Sequence, residues 1–150
     1  MNDSDRVLKS EKEAISSDEW VVRCIWLTRF RQTVPITISP GAFEPRNDEV
    51  SGISVFRLAC VTDPSEILSV FAEEKRPKYG LVKILVSDLN RLGLSVISDL
   101  RSPIPGHALI PELTIQSHNS DKTKWRMAEQ NLADLAIQNV LLWPVEVMQN

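Results

Sequence analysis

Apolar positions in this chain fall into short runs, set between stretches rich in proline, glycine and charge. Several runs carry the composition of strands. Residues 20–28, WVVRCIWLT, are β-branched and aromatic on both faces, which fits a strand buried in the middle of a sheet with Arg23 as its one conspicuous charge. Residues 52–61, GISVFRLACV, predict a second such strand, interrupted by Arg57. Residues 79–87, YGLVKILVS, alternate Leu81, Lys83, Leu85 and Ser87 on one side with Val82, Ile84 and Val86 on the other. Shorter strands are expected at 36–38, 94–98 and 107–113. Pro111 lacks a backbone N–H, so the last of these lies at a sheet edge or stops there.

Helical signals are fewer. Asp63, Pro64 and Glu66 form a near-complete N-terminal capping box, with Ile67, Leu68 and Phe71 sharing one face of a helix that ends before Pro77. Asp88 can cap a short helical turn closed by Gly93. A longer helix starts near Ser120 or Asp121 and carries Trp125, Ala128, Leu132, Leu135 and Ala136 as an apolar stripe. Residues 29–49 hold three prolines and read as a long connection, a kind of segment that often carries function. The order of elements predicts one α+β domain over 18–150: a mixed or antiparallel sheet of about five strands covered on one side by two helices. Residues 1–17 are too polar to offset the entropy of ordering and are expected to form a disordered tail.

Composition narrows the function classes. With 17 basic and 20 acidic residues, the chain has no general electrostatic pull toward nucleic acid. The clusters Lys75, Arg76, Lys78 and Lys122, Lys124, Arg126 read as solvated surface. No apolar run approaches the roughly 18 residues of a membrane helix, and the first residues lack the apolar core of a signal peptide, so a cytoplasmic protein is expected. Cys24 and Cys60 lie in apolar runs and read as buried reduced thiols. The spacings of Cys24, Cys60, His107 and His118 match no metal-ligand pattern, and no phosphate- or dinucleotide-binding loop is present, so neither metal nor cofactor is implied.

Candidate chemistry centres on PGHALIPE, residues 105–112. His107 has the near-neutral pKa class suited to a general base. Glu112 pairs with it only if Pro111 breaks the strand alternation. Arg23 and Arg57, inside apolar strands, must reach solvent, face a ligand or pair with a carboxylate, for which Asp88, Asp99 and Glu112 are candidates. Ser54 has no base near it in sequence. The closing run VLLWPVEV offers Leu141, Leu142, Trp143 and Val145 as a docking surface for a protein partner or a second copy.

The string SPGAF…GISVFR…YGLVKILVSDLNRLGL…PGHALIPEL, over residues 39–113, resembles a group of small bacterial proteins of no assigned activity, which implies an intracellular bacterial protein. A fainter similarity is to ADP-ribosyltransferase-like folds, which carry an arginine or histidine on an early strand, a hydroxyl or aromatic residue on a middle strand and a late glutamate. Arg23, Ser54 and Glu112 stand in that order. Two functions follow as expectations. The leading one is a binding or protein-interaction module using the apolar C-terminal run. The alternative is a small enzyme with a cleft formed by Arg23, Arg57, His107 and Glu112.

Overall fold

The structure, a computed structural model, describes residues 7–148. Its strands are β1 (Trp20–Trp26), β2 (Phe30–Arg31), β3 (Thr37–Ile38), β4 (Ile53–Arg57), β5 (Tyr79–Leu85), β6 (Ile97–Ser98), β7 (His107–Ile110) and β8 (Val140–Leu142). Its α-helices are α1 (Val86–Arg91), α2 (Ile115–Ser120), α3 (Lys122–Ala136) and α4 (Val145–Met148). Six strands make one antiparallel sheet in the order β6-β7-β4-β1-β5-β8, and β2 pairs with β3 separately. This is the expected α+β fold, with one strand more than the pattern suggested.

Side-chain alternation along the strands gives the sheet two apolar faces. On one, Val21 and Ile25 of β1, Ile53 and Val55 of β4, and Val82 and Ile84 of β5 meet Leu132, Ala133 and Ala136 of α3. On the other, Val22, Phe56 and Leu81 meet Ile67 and Leu68. The two helical segments expected on one side therefore cover opposite faces. That division explains why β1 is apolar on both faces apart from Arg23: it is an inner strand, and each face has its own cover.

The acid-capped segment is 3-10 rather than α-helix, in two pieces, Pro64–Val70 and Glu73–Lys78. Asp63 does cap it, accepting from the Ser65 N–H. Phe71 still packs against the Ile67–Leu68 cluster and also stacks on Tyr79 with ring centroids 3.8 Å apart. In α3, capped by Asp121, the buried positions are Glu129, Leu132, Ala133 and Ala136, an i, i+3, i+4, i+7 set that includes a glutamate. β7 stops at Ile110, as Pro111 requires, but it is an inner strand: β6 covers the side left open in the expectation of an edge. The register that β7 keeps starts from Gly106, whose φ of +85° is open to glycine, and where a β-carbon would fall 2.7 Å from the Cys60 side chain.

The structure adds detail at both chain ends. Residues 1–6 of the expected tail lie outside the described residues, but the following segment is packed. Arg57, fully buried, donates to the carbonyls of Glu11, Glu13 and Ala14 and to both carboxylate oxygens of Glu19. Low hydrophobicity suggested disorder, yet what holds this segment is an arginine collecting its carbonyls. At the other end, Leu142 packs beside Leu81, and Trp143 lies against Phe30 at 5.7 Å between ring centroids. Leu142 and Trp143 are thus half-buried against the protein's own core, while Leu141 and Val145 are exposed.

The Arg57–Glu19 pair should dominate stability. Removing one partner of a buried, hydrogen-bonded pair leaves the other charge uncompensated, so Arg57→Met is expected to lose about 3–5 kcal/mol in urea unfolding. Burial alone would raise the Glu19 carboxyl, but hydrogen bonds from Arg57, Ser16 and Lys9 outweigh it and hold it below its ordinary 4.5. The folded state then binds fewer protons than the unfolded chain, so this stabilisation is complete above the ordinary value and is lost as pH falls through the lowered one. Urea midpoints followed downward from about pH 6 should drop below the ordinary carboxylate range, and the drop should be shallower in Glu19→Gln.

Candidate active site

Three adjacent antiparallel strands bring together residues far apart in sequence. In the β4–β7 register Phe56 lies opposite His107 and Ser54 opposite Leu109, so Ser54 and His107 are diagonal neighbours on one face. In the β6–β7 register Ser98 lies opposite Ala108, and the next backbone bond, from Asp99 N–H to the His107 carbonyl at 2.9 Å, sets Asp99 beside the histidine. The side chains follow. His107 Nε2 is 3.1 Å from Ser54 Oγ, and His107 Nδ1 is 3.2 Å from Asp99 Oδ2, an ionic approach not aligned as a hydrogen bond. The imidazole is braced by Phe56, 5.1 Å away between ring centroids. Arg101 donates to Asp99 through its backbone and its guanidinium and holds the carboxyl below the usual range.

Ser54 and His107 line a cleft of about 230 Å³, bordered also by Arg46, Asp48, Val70, Phe71 and Ser102, with Asp99 on the Nδ1 side of the imidazole. A larger neighbouring cleft of about 450 Å³ shares Arg23, Cys24 and Arg46 with it and extends to Trp26, Arg29, Glu44 and Tyr79. Arg46 is half exposed between them, near the carboxylates of Asp48 and Glu49.

Of the four residues expected to converge, the structure keeps His107 and Arg23 at this cleft and places Arg57 and Glu112 elsewhere. Arg57 is buried under the N-terminal segment. Glu112 accepts from the backbone and hydroxyl of Ser95 and does not reach His107. Arg23 borders the cleft, but its guanidinium is bound to Glu49 at 2.7 Å and to the carbonyls of Ala42 and Ser54. The reason is a gap in the sheet. β1 and β4 pair only through Val21–Arg57 and Val22–Phe56. Beyond that, Glu49 accepts the Ser54 N–H at 2.6 Å and Arg23 supplies a donor to the Ser54 carbonyl, doing the work of missing ladder bonds. Burial would raise the Glu49 carboxyl, but Arg23 and two backbone N–H groups hold it down. An Arg23–Ser54–Glu112 cleft of ADP-ribosyltransferase type is therefore not assembled.

Sequence reading missed Ser54 as a partner of His107, because the two are joined only by strand register. Asp99, a candidate partner for Arg23 or Arg57 in the sequence, pairs with Arg101 and approaches His107. Cys24, also on the cleft, is a poor nucleophile: burial pushes its thiol up to about 12 despite the opposing charges of Arg23 and Arg46. Cys60 is buried and also shifted upward, chiefly by burial.

The set Cys24, Cys60, His107 and His118 is not brought together. Among the described residues, a different cluster of possible metal ligands occurs where the long connection meets the helices: Glu44, His118 and Glu129, with ligand atoms within 4.8 Å of one another. Glu129 is 1% exposed, and neither of its carboxylate oxygens has a hydrogen-bond partner. Burial, with Glu44 adding to it and Arg126 opposing, raises its carboxyl to about 7.

The cysteine assignment can be checked chemically. In the native protein at about pH 8, both thiols are expected to react with a disulfide reagent at least roughly a hundredfold more slowly than after unfolding in urea. Rapid native modification of Cys24 would make it the better candidate nucleophile.

No family model, curated protein or solved structure matches the chain, so the function is argued from this geometry.

Proposed function

We propose that the protein is a small enzyme of the acyl-transfer class, with Ser54 as nucleophile, His107 as general base and Asp99 as the group that orients and charge-balances His107. One observation carries this reading: the Ser54 Oγ–His107 Nε2 approach at 3.1 Å on a cleft wall, with Asp99 Oδ2 3.2 Å from His107 Nδ1. Such a constellation is recognised by geometry and roles, and it recurs on unrelated folds.

In this reading the proton sits on His107 Nδ1, the tautomer that the Asp99 carboxylate favours, and Nε2 accepts from the Ser54 hydroxyl. As Oγ bonds to a substrate carbonyl carbon, Nε2 takes the hydroxyl proton. That proton then passes to the leaving group as its bond to the carbonyl carbon breaks. Water, deprotonated by the same nitrogen, attacks the acyl-enzyme and releases the acid with regeneration of Ser54. Arg46, half exposed on both clefts, favours a substrate bearing a negative group. Val70 and Phe71 give the smaller cleft an apolar side.

The interaction-module reading has less support, because Leu142 and Trp143 are used in packing. It rests on Leu141 and Val145 alone.

The test is covalent labelling with a fluorophosphonate, which reacts with an activated serine. Labelling is expected on Ser54, located by peptide mass analysis. It should disappear in Ser54→Ala and His107→Ala and slow by about 100-fold in Asp99→Asn, within the usual contribution of an oriented base. A folded wild-type chain that takes up no label, or labelling that survives His107→Ala, overturns the proposal.

A further inference from the structure

The Glu44–His118–Glu129 cluster is separate from the serine row and has no role in it. It is assembled from three elements. Glu44 follows the 3-10 turn Pro40–Phe43, His118 lies in α2 and Glu129 faces inward from α3. Phe43 and Ala42 of that turn share the core with Leu132 and Ala133, which brings Glu44 up to the helix.

Polar groups in this position ordinarily find hydrogen bonds. Here Glu129 is buried with both oxygens unpartnered, and His118 Nδ1, also buried and unpartnered, faces Glu129 Oε2 at 3.4 Å. Glu44 then brings a second carboxylate toward the first, which repels it unless a cation lies between them. We propose that Glu44, His118 and Glu129 bind one divalent transition-metal ion of the zinc class.

The spacing suits such an ion. Two donors each about 2.1 Å from a tetrahedral metal are about 3.4 Å apart, the separation seen between His118 Nδ1 and Glu129 Oε2. The Glu44 ligand atom lies within 4.8 Å of the others, and its side chain is exposed, so it can close the remaining distance and gives the ion a route from solvent. One imidazole with two carboxylates is a borderline donor set, favouring zinc, cobalt, iron or manganese over calcium or magnesium. Three protein ligands leave a position for water. The bound ion would tie the 40–43 turn to α2 and α3.

The experiment strips the purified full chain with a chelator and titrates it with Zn²⁺ by calorimetry and with Co²⁺ by visible absorption. Expected are one equivalent bound, cobalt bands of low-symmetry N/O coordination and a rise in Tm on adding Zn²⁺. Each signal should weaken at least tenfold in Glu44→Gln and in His118→Ala. Glu44 is on the surface, so its variant keeps the fold, which circular dichroism checks. Absence of a one-equivalent site, binding unchanged in Glu44→Gln, or Mg²⁺ and Ca²⁺ binding as tightly as Zn²⁺ overturns the proposal.

Discussion

Arg57 is the constraint around which this fold is arranged. Its guanidinium is wholly out of water and every N–H donor it has is used, on two carboxylate oxygens of Glu19 and three backbone carbonyls. A charge in that position must be satisfied or the sheet fails around it. The requirement organises the neighbourhood in turn. Glu19 precedes β1 and also accepts from Lys9 and from the Ser16 N–H. The polar segment before β1 is therefore held mainly by these hydrogen bonds, with Ile15 packed against the core.

The second buried arginine solves a different problem. Where β1 and β4 part, Ser54 would lose the partners of both its backbone groups, and Arg23 with Glu49 replaces them. The consequence reaches the surface. The widened place in the sheet lies next to the cleft, and the ion pair fixes the backbone from which the Ser54 hydroxyl projects. Arg57 and Arg23 both spend their guanidinium donors on backbone carbonyls and a carboxylate, and Arg23 steadies the strand that carries Ser54.

How much of this could be read in advance depends on the range of each interaction. The strands 20–26, 53–57 and 79–85 were legible because their composition is local. The cap at Asp63 and the start of α3 near Asp121 were legible for the same reason. β8 was not, because VLL is a strand only by lying beside Leu81 and Val82 of β5. The two faces of the sheet could not be assigned to particular helices without the topology. Nor could the serine row be seen: Ser54, Asp99 and His107 become neighbours only when two registers are known, and a slip of one residue in either would turn side chains to the opposite face. Glu129 did leave a trace in the sequence. It stands one turn before Leu132 and Ala133, on the side of α3 that the apolar spacing marks as inward.

Gly106 links distant parts of the chain. Its carbonyl accepts from the Arg57 backbone N–H, and its own N–H donates to the Glu11 carboxylate. The residue that aims the imidazole is thus moored to the opening segment of the polypeptide, about a hundred positions upstream. Trimming that segment, or fusing a bulky partner close to it, would relax the histidine's mooring while leaving every cleft residue in place.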